Sequence, residues 1–276
     1  LYWITLSDYP DKEHKRLRDE RHARFAQAQA EYDQALALYI ARRDARKQEK
    51  RDALVSLRWR NWLKLTLSGS PEEQRPLGPP TLPASSDREA ILLAGSVAEE
   101  VMGCVYKDRM NDAWTLFSGY KNPQGEIDHI LLGPTGLYAI EIKNHNATVY
   151  CEGTRWRYRK YDNYGNLKRE YFEVDGRGRS PSQQLNAPAT SLEGFLHRRR
   201  HKVHIHRIVI YTHERSNIAY RGDDTIDLVT ESVHDAIDLM GAGPRLLEQR
   251  QAEEIEALII RDHRFHESRQ ARARED

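Results

Sequence analysis

Three side chains in the segment from Gly125 to Asn144, GEIDHILLGPTGLYAIEIKN, could do chemistry together: Asp128, Glu141 and Lys143. Gly133-Pro134-Thr135-Gly136 is a turn signal between two alternating apolar runs, so the segment predicts a β-hairpin. Pairing Leu132 with Leu137 puts Ile130 opposite Ala139, Asp128 opposite Glu141 and Glu126 opposite Lys143. Opposed residues share a face, with Cβ atoms roughly 5 Å apart, as do residues two apart on one strand. Asp128, Glu141 and Lys143 are therefore expected on one side. Ile127, Leu131, Tyr138, Ile140 and Ile142 are expected on the other, as a continuous apolar face. A one-residue slip would exchange the two sets, which the pattern resists. Facing carboxylates repel unless a cation sits between them or one is protonated. Hard oxygen ligands without cysteine or clustered histidine suit Mg2+ or Mn2+. A lysine beside them can orient water and help deprotonate it, or stabilise charge developing on a phosphate. Metal, activated water and lysine together suit phosphodiester hydrolysis. Surface ion pairs would explain an acid-x-lysine pattern taken alone; the register and the tight alternation raise the chemical reading above that. His129 falls on the face opposite Asp128 and His145 in a strand-end loop, and neither is assigned to the chemistry.

The elements that must position these groups begin at about Asp87. A helix is expected from there to Met110, capped at residues 85–87, with Glu89 reaching back to Ser86. Leu93, Val97, Val101 and Val105 recur every four residues and predict its core-facing stripe. Strands are expected at 113–118, 125–132, 137–143, 147–151, 155–161 and 168–174. A helix over 182–197 follows, opened by Ser180-Pro181, then strands at 204–212 and 227–229 and helices at 231–240 and 246–260. This order predicts an α/β domain with a mixed central sheet flanked by helices. Residues 261–276 are charged and expected to fray as a tail.

Gly125-Glu126-Ile127-Asp128-His129, the turn 133–136 and Ala139-Ile140-Glu141-Ile142-Lys143-Asn144 resemble the nuclease-related domain, NERD, of the PD-(D/E)XK, restriction-endonuclease-like superfamily. The order, spacing and flanking residues of both strands agree, and the resemblance covers roughly 87–239. It implies a restriction-endonuclease-like fold and a DNA nuclease, with Asp128 and Glu141 as metal ligands and Lys143 as the catalytic lysine. It also implies a glutamate on the first core helix; Ala98-Glu99-Glu100 lies there, with Glu99 favoured and Glu100 as the alternative. A glutamine opening the second helix is implied as well, and Ser180-Pro181-Ser182-Gln183-Gln184 places Gln184 there, able to bond a phosphate or the strand to be cut. For Gln184 an ordinary polar residue at a helix start is an equal reading. Pro188, one turn later, is a departure. It costs about 3 kcal/mol inside a helix, so the helix is expected to start at Pro188 or kink there.

Residues 154–171, TRWRYRKYDNYGNLKREY, interleave basic and aromatic side chains. Arg155, Arg157, Tyr158, Arg159, Lys160, Lys168 and Arg169 are candidates to follow a phosphate backbone or stack on bases. The competing expectation is that the aromatics pack on the sheet while the cations face solvent. His197 and His201 are four apart, with His204 and His206 nearby. No carboxylate or third close ligand accompanies them, so phosphate contact or solvation is preferred to metal binding.

The rest of the chain sets the context. Residues 11–67 hold no Pro or Gly and are rich in helix formers. Phe25, Tyr32 and Tyr39 repeat every seven residues, with Ala28 and Ala35 between them, predicting a short coiled-coil-like seam. Its other side would be a helix of this chain, a second copy or a partner protein. Leu54, Leu57, Trp59, Trp62, Leu63 and Leu65 suggest that the helix end docks. Residues 68–86 form a Pro/Gly/Ser linker. The expected division is thus a helical extension over 1–67, a linker over 68–86, a nuclease-like domain over 87–260 and a tail over 261–276. With 43 Lys and Arg against 42 Asp and Glu in 276 residues, a nucleic-acid footprint must be local. Cys104 and Cys151 form no CxxC pattern, which fits a reducing, cytoplasmic setting. The chain opens on Leu1, and Leu1–Ile4 reads as a trimmed or frayed terminus; membrane contact would require an apolar segment upstream. The readings that compete are a Mg2+- or Mn2+-dependent DNA endonuclease, a nuclease-fold DNA-binding or assembly module recruited through the N-terminal helix, and a coiled-coil scaffold. The intact Asp, Glu and Lys favour the first.

Overall fold

The computed structural model of the chain describes residues 1–7, 9–55, 59–67, 76–162 and 164–275. Leu57 and the first part of the expected linker, 68–75, lie outside the described residues, as do the side chains of Leu54 and Trp59. In chain order the elements are β1 (Tyr2–Thr5), α1 (Tyr9–Val55), α2 (Trp59–Leu67), α3 (Asp87–Arg109), β2 (Thr115–Asn122), β3 (Gly125–Gly133), β4 (Gly136–Lys143), β5 (Thr148–Glu152), β6 (Arg155–Tyr161), β7 (Leu167–Phe172), α4 (Pro181–Arg198), β8 (Ile205–Tyr211), β9 (Asn217–Gly222), β10 (Leu228–Thr230), α5 (Val233–Ala242) and α6 (Gln249–Glu275). The protein is mixed α/β, with helices flanking its sheets and a long N-terminal helix. It divides into a compact unit of residues 1–13 and 91–276 and a second unit of residues 14–90.

The second unit is built on α1, which has no Gly and no Pro beyond its first turn and therefore runs unbroken. The chain returns antiparallel to it. Arg46 Nη2 donates to Leu65 O at 2.9 Å, and Arg21 Nη1 donates to Pro83 O at 3.0 Å. Phe25, Tyr32 and Tyr39 are half-buried. The cap expected at residue 86 is formed: Ser86 N donates to Glu89 Oε2 at 2.9 Å and Glu89 N to Ser86 Oγ at 3.2 Å.

The first unit contains two mixed sheets among the described residues, where a single central sheet was expected. The larger has the order β1-β2-β3-β4-β8-β10; the smaller has the order β7-β6-β5-β9. The β3–β4 hairpin has the register read from its turn, with Leu132 opposite Leu137 and Ile130 opposite Ala139. Leu185, Ala189 and Leu192 of α4 and Ile255 and Ile259 of α6 share one core with Ile130, Leu132 and Leu137. Ala98, Met102 and Tyr106 of α3 and Ala236 and Met240 of α5 share the other with Leu131, Tyr138 and Ile140. Both hairpin faces are therefore buried along most of their length. The expected split into one charged and one apolar face is corrected to a buried ladder with charges gathered at one end.

Further corrections follow from tertiary packing. Leu93, Val97 and Val101 are exposed; the buried row on α3 is Ala98, Met102, Tyr106 and Met110. The two rows have the same four-residue spacing and lie one position apart, so periodicity could not choose between them. Residues 2–5, expected in a frayed or helical terminus, form the edge strand β1, parallel to β2. Trp3 Nε1 donates to Ser118 Oγ at 2.8 Å, and Gly103 of α3 leaves the space its indole fills. At the other end, α6 continues through the expected tail. Asp262 and His263 are buried and bond β2, at Tyr120 Oη and at the Lys121 N–H.

Candidate active site

The site forms where β3 and β4 part. Their ladder ends at His129 opposite Ile140, short of the expected pairing of Asp128 with Glu141 and of Glu126 with Lys143. Beyond that point β4 runs on beside β8, with Glu141 opposite Val209 and Lys143 opposite Tyr211. Asp128 turns its carboxylate onto the strand it has left, and Oδ2 accepts from Ile142 N at 2.7 Å. Continued pairing would hold two carboxylates face to face in the protein interior; a side-chain bond to the released N–H avoids this and keeps that donor satisfied. The alternation also shifts here. Gly119, across from this point on β2, has φ +71, and a Cβ there would run into Ser7 O. Past the kink, Tyr120 and Ile127 join the core of Phe117 and Ile130, so Ile127 lies on the face opposite to the one expected.

Glu141 is buried, and Lys143 Nζ lies 2.6 Å from its Oε1. The same ammonium donates to Gln184 Oε1 at 2.8 Å, and Gln184 Nε2 donates to Arg179 O at 2.9 Å. Gln184 is aimed by α4, which begins at Pro181 behind a capping box of Ser180 and Gln183 and passes through Pro188. The helix thus starts before Pro188, contrary to one of the two expectations. The cost of the proline is the N–H it cannot return to the Gln184 carbonyl; Pro188 O is itself bonded by buried Asn122 Nδ2 at 2.9 Å.

Glu99 joins this group from α3. Its pKa is raised to about 7, by burial first and then by the charges of Glu126, Glu141 and Asp11. Burial, Glu141 and Glu99 push Asp128 well above the usual carboxylate range, against Lys143 and the Ile142 N–H. Glu126 is raised as well, chiefly by burial, despite Lys121 at 3.3 Å. For Lys143 the neighbouring Glu141 and Asp128 outweigh the desolvation that would discharge it, and its pKa rises. Glu100 is exposed, and a cleft of about 250 Å3 beside Glu99 is lined also by Asp11, Ser96, Ser118 and His129. Sequence reading missed Glu126 as a member of the acidic group and Glu173 as a neighbour of Lys143. The two-residue spacing of Glu126 from Asp128 was a usable signal; nothing local marked Glu173, whose charge reaches Lys143 across the fold.

These carboxylates fit a divalent ion of the Mg2+ or Mn2+ type. They are hard oxygen donors, and burial and mutual repulsion hold several of them above their usual range, which a dication would relieve. As folded here the ligand atoms of Glu99, Asp128 and Glu141 do not all come within 4.8 Å of one another.

The basic hairpin divides. Arg155, Lys160, Lys168 and Arg169 are exposed. Arg157 is paired with Glu152, and Arg159 with Glu170. Tyr158 is corrected: it is fully buried, hydrogen-bonded to Tyr211 and unable to meet a base. In the His-rich segment, His197 and His201 do not form a pair of ligands. His197 Nε2 lies 3.0 Å from Val203 O, and His201 faces Glu254 at 3.9 Å.

A two-sheet α/β unit with an acid–lysine group at the parting of a hairpin is a nuclease-like arrangement. The family model that matches agrees: residues 94–212 match NERD, the nuclease-related domain. Neither a curated protein nor a solved structure matches the chain. Among the described residues no helix is long and apolar enough to cross a membrane.

Proposed function

We propose that this chain is a metal-dependent DNA nuclease that hydrolyses phosphodiester bonds. The observation that carries the reading is the partly buried group of Asp128, Glu141 and Lys143, with Glu99 beside it, inside a stretch that matches a nuclease-related domain. Asp128, Glu141 and Glu99 would hold Mg2+ or Mn2+, which when bound supplies a Lewis acid and an acidified water. Lys143 stays protonated through neutral pH, because its pKa is raised. In that form its role is to place positive charge against the phosphate as negative charge builds. Gln184 accepts a second bond from that ammonium and limits its travel. Arg155, Lys160, Lys168 and Arg169 would follow the DNA backbone, with Arg157 and Arg159 contributing less because Glu152 and Glu170 neutralise them. These contacts are to phosphate, so they predict little sequence preference.

Supercoiled plasmid nicking with Mg2+, Mn2+ or a chelator tests the reading, using the full chain, Asp128→Ala and Lys143→Ala. Cutting that needs the metal and falls on the order of a hundredfold or more in both variants is expected. DNA binding at low salt without any cutting would replace this reading with that of a nuclease-fold binding module.

A further inference from the structure

We propose that His204, His206 and Asp227 form a second metal site, for a transition-metal ion of the zinc type, separate from the carboxylate centre. Their ligand atoms all lie within 4.8 Å of one another, the one such trio of His, Cys, Asp or Glu among the described residues. The sequence hides it, because the carboxylate that completes the histidine pair comes much later in the chain, after β9. Pairing of β10 with β8 brings it there: Leu228 stands opposite Ile208, so the residue before β10 meets the start of β8.

Each donor is held in place. His204 and His206 are two apart on extended chain and point the same way; their rings meet edge to face at 4.9 Å. His206 stacks on Tyr138 at 5.1 Å and turns Nδ1 toward Asp227 Oδ1, 3.3 Å away. Donors about 2.0–2.1 Å from a tetrahedral zinc stand roughly 3.3–3.4 Å apart, so this pair already has the spacing of one edge of such a site. Asp227 is fixed through its other oxygen, which accepts from Arg207 N at 2.7 Å, and its own N–H donates to Arg207 O at 2.9 Å. His204 Nδ1 lies 3.2 Å from Glu193 Oε1, so an ion held through Nε2 would have that carboxylate behind the imidazole. A carboxylate behind a ligating imidazole sets its tautomer and raises its basicity. Glu193 is in turn held by Arg207 Nη2 at 3.2 Å.

The donor set separates the two centres chemically. Two imidazoles and one carboxylate suit Zn2+ and its transition-metal neighbours, whereas the all-carboxylate group suits Mg2+ or Mn2+. They are also apart in space. His206 faces Tyr138 near one end of the β4–β8 ladder, and Tyr211 faces Lys143 at the other. An ion here would join the start of β8 to the segment entering β10 and, through Glu193, to α4, the helix that carries Gln184. Its role would be to stiffen the frame of the sheet.

The test is Zn2+ titration of the full chain, freed of metal with a chelator, in competition with a chromophoric indicator. A chain carrying both Asp128→Asn and Glu141→Gln reports on this site alone. Expected is one Zn2+ bound by that double variant, with Co2+ giving the intense visible bands of a four-coordinate ion. In the same background, Glu193→Gln should weaken binding about tenfold, and His204→Ala, at the most exposed ligand, should weaken it further. Co2+ should also shift the ring protons of two histidines in the unsubstituted protein, an outcome independent of any variant's folding. No Zn2+ bound by the double variant, or equal binding after His204→Ala, would overturn the proposal. Loss of plasmid cutting in the double variant with Zn2+ binding intact would concern the nuclease reading alone.

Discussion

At the scale of single residues the site is a balance of charge in a place only partly open to water. Lys143 answers Glu141 and steadies Asp128, yet Glu99, Glu126 and Asp128 all sit above their ordinary pKa values. Glu99 and Glu100 are adjacent, but only Glu99 is drawn into the group. Glu99→Gln should lower plasmid nicking strongly and Glu100→Gln should leave it within about twofold, as expected of exposed positions; the reverse ranking would move the third ligand to Glu100. Tyr158 makes a second residue-level test. Tyr158→Phe leaves the buried Tyr211 hydroxyl without its partner, a cost of about 1–3 kcal/mol. A lowered melting temperature with unchanged DNA affinity is expected. Lys168→Ala and Arg169→Ala should do the opposite, weakening DNA binding and flattening its salt dependence at constant stability.

At the scale of elements, the chemistry depends on two strands that pair and then separate. Gly119 makes the separation possible from the neighbouring strand, in a conformation that a residue with a Cβ resists and in contact with Ser7. Gly119→Ala should therefore cost about 1–2 kcal/mol from the left-handed backbone alone. It should also reduce nicking at temperatures where the chain stays folded, because Asp128 lies across from it. Thermal melts and single-turnover cutting, measured together, check this; full activity with an altered melt would detach the kink from the site. The edge strand β1 gives another test at this scale. A chain starting at the expected domain boundary, residue 87, lacks β1 and exposes β2 and the Gly103 face of α3, so it should melt below the full chain and self-associate more.

For the whole molecule, the acidic group is a stability cost that depends on pH. The raised pKa values of Glu99, Glu126, Asp128 and Glu173 mean that the folded chain binds these protons more tightly than the unfolded chain does. Their contribution is complete below about pH 4, the unfolded value. It is lost as pH rises through the folded values, about 7 for Glu99. The raised pKa of Lys143 has the same sign, but its contribution is lost only above the ordinary lysine range, outside this window. These carboxylates should therefore lower the melting temperature of the metal-free chain at pH 8 relative to pH 6, while His129, His145 and His263, whose pKa values burial lowers, act in the opposite sense up to the ordinary histidine value. Mg2+ or Mn2+ at pH 8 should restore part of the difference, and Asp128→Asn should restore it without metal while abolishing cutting. Because the histidines are common to both chains, an Asp128→Asn chain whose melting temperature changes between pH 6 and 8 in chelator just as the unsubstituted chain's does would show that Asp128 is not held as described.

The sequence alone determined what local chemistry enforces. The 133–136 turn and the alternating apolar residues set the pairing of Leu132 with Leu137. The absence of Gly and interior Pro made α1 one long helix, and the Ser86–Glu89 pair capped α3. Asp128, Glu141 and Lys143 were legible as candidates from the spacing within the hairpin, and Glu99 and Gln184 from the resemblance. Tertiary structure decided what depends on neighbours distant in the chain. It chose between the two apolar rows of α3, because each has the same period and only packing against the sheet distinguishes them. It buried Tyr158 and tied Arg157 and Arg159 to Glu152 and Glu170, since a strand's pattern does not say which of its faces a second sheet will cover. It ended the β3–β4 ladder one pair before the acids, because desolvated charge in close quarters is costlier than a backbone bond replaced by the Asp128 carboxylate. It also set Asp227 beside His206, a meeting that follows from the parallel pairing of two strands and from nothing within either one.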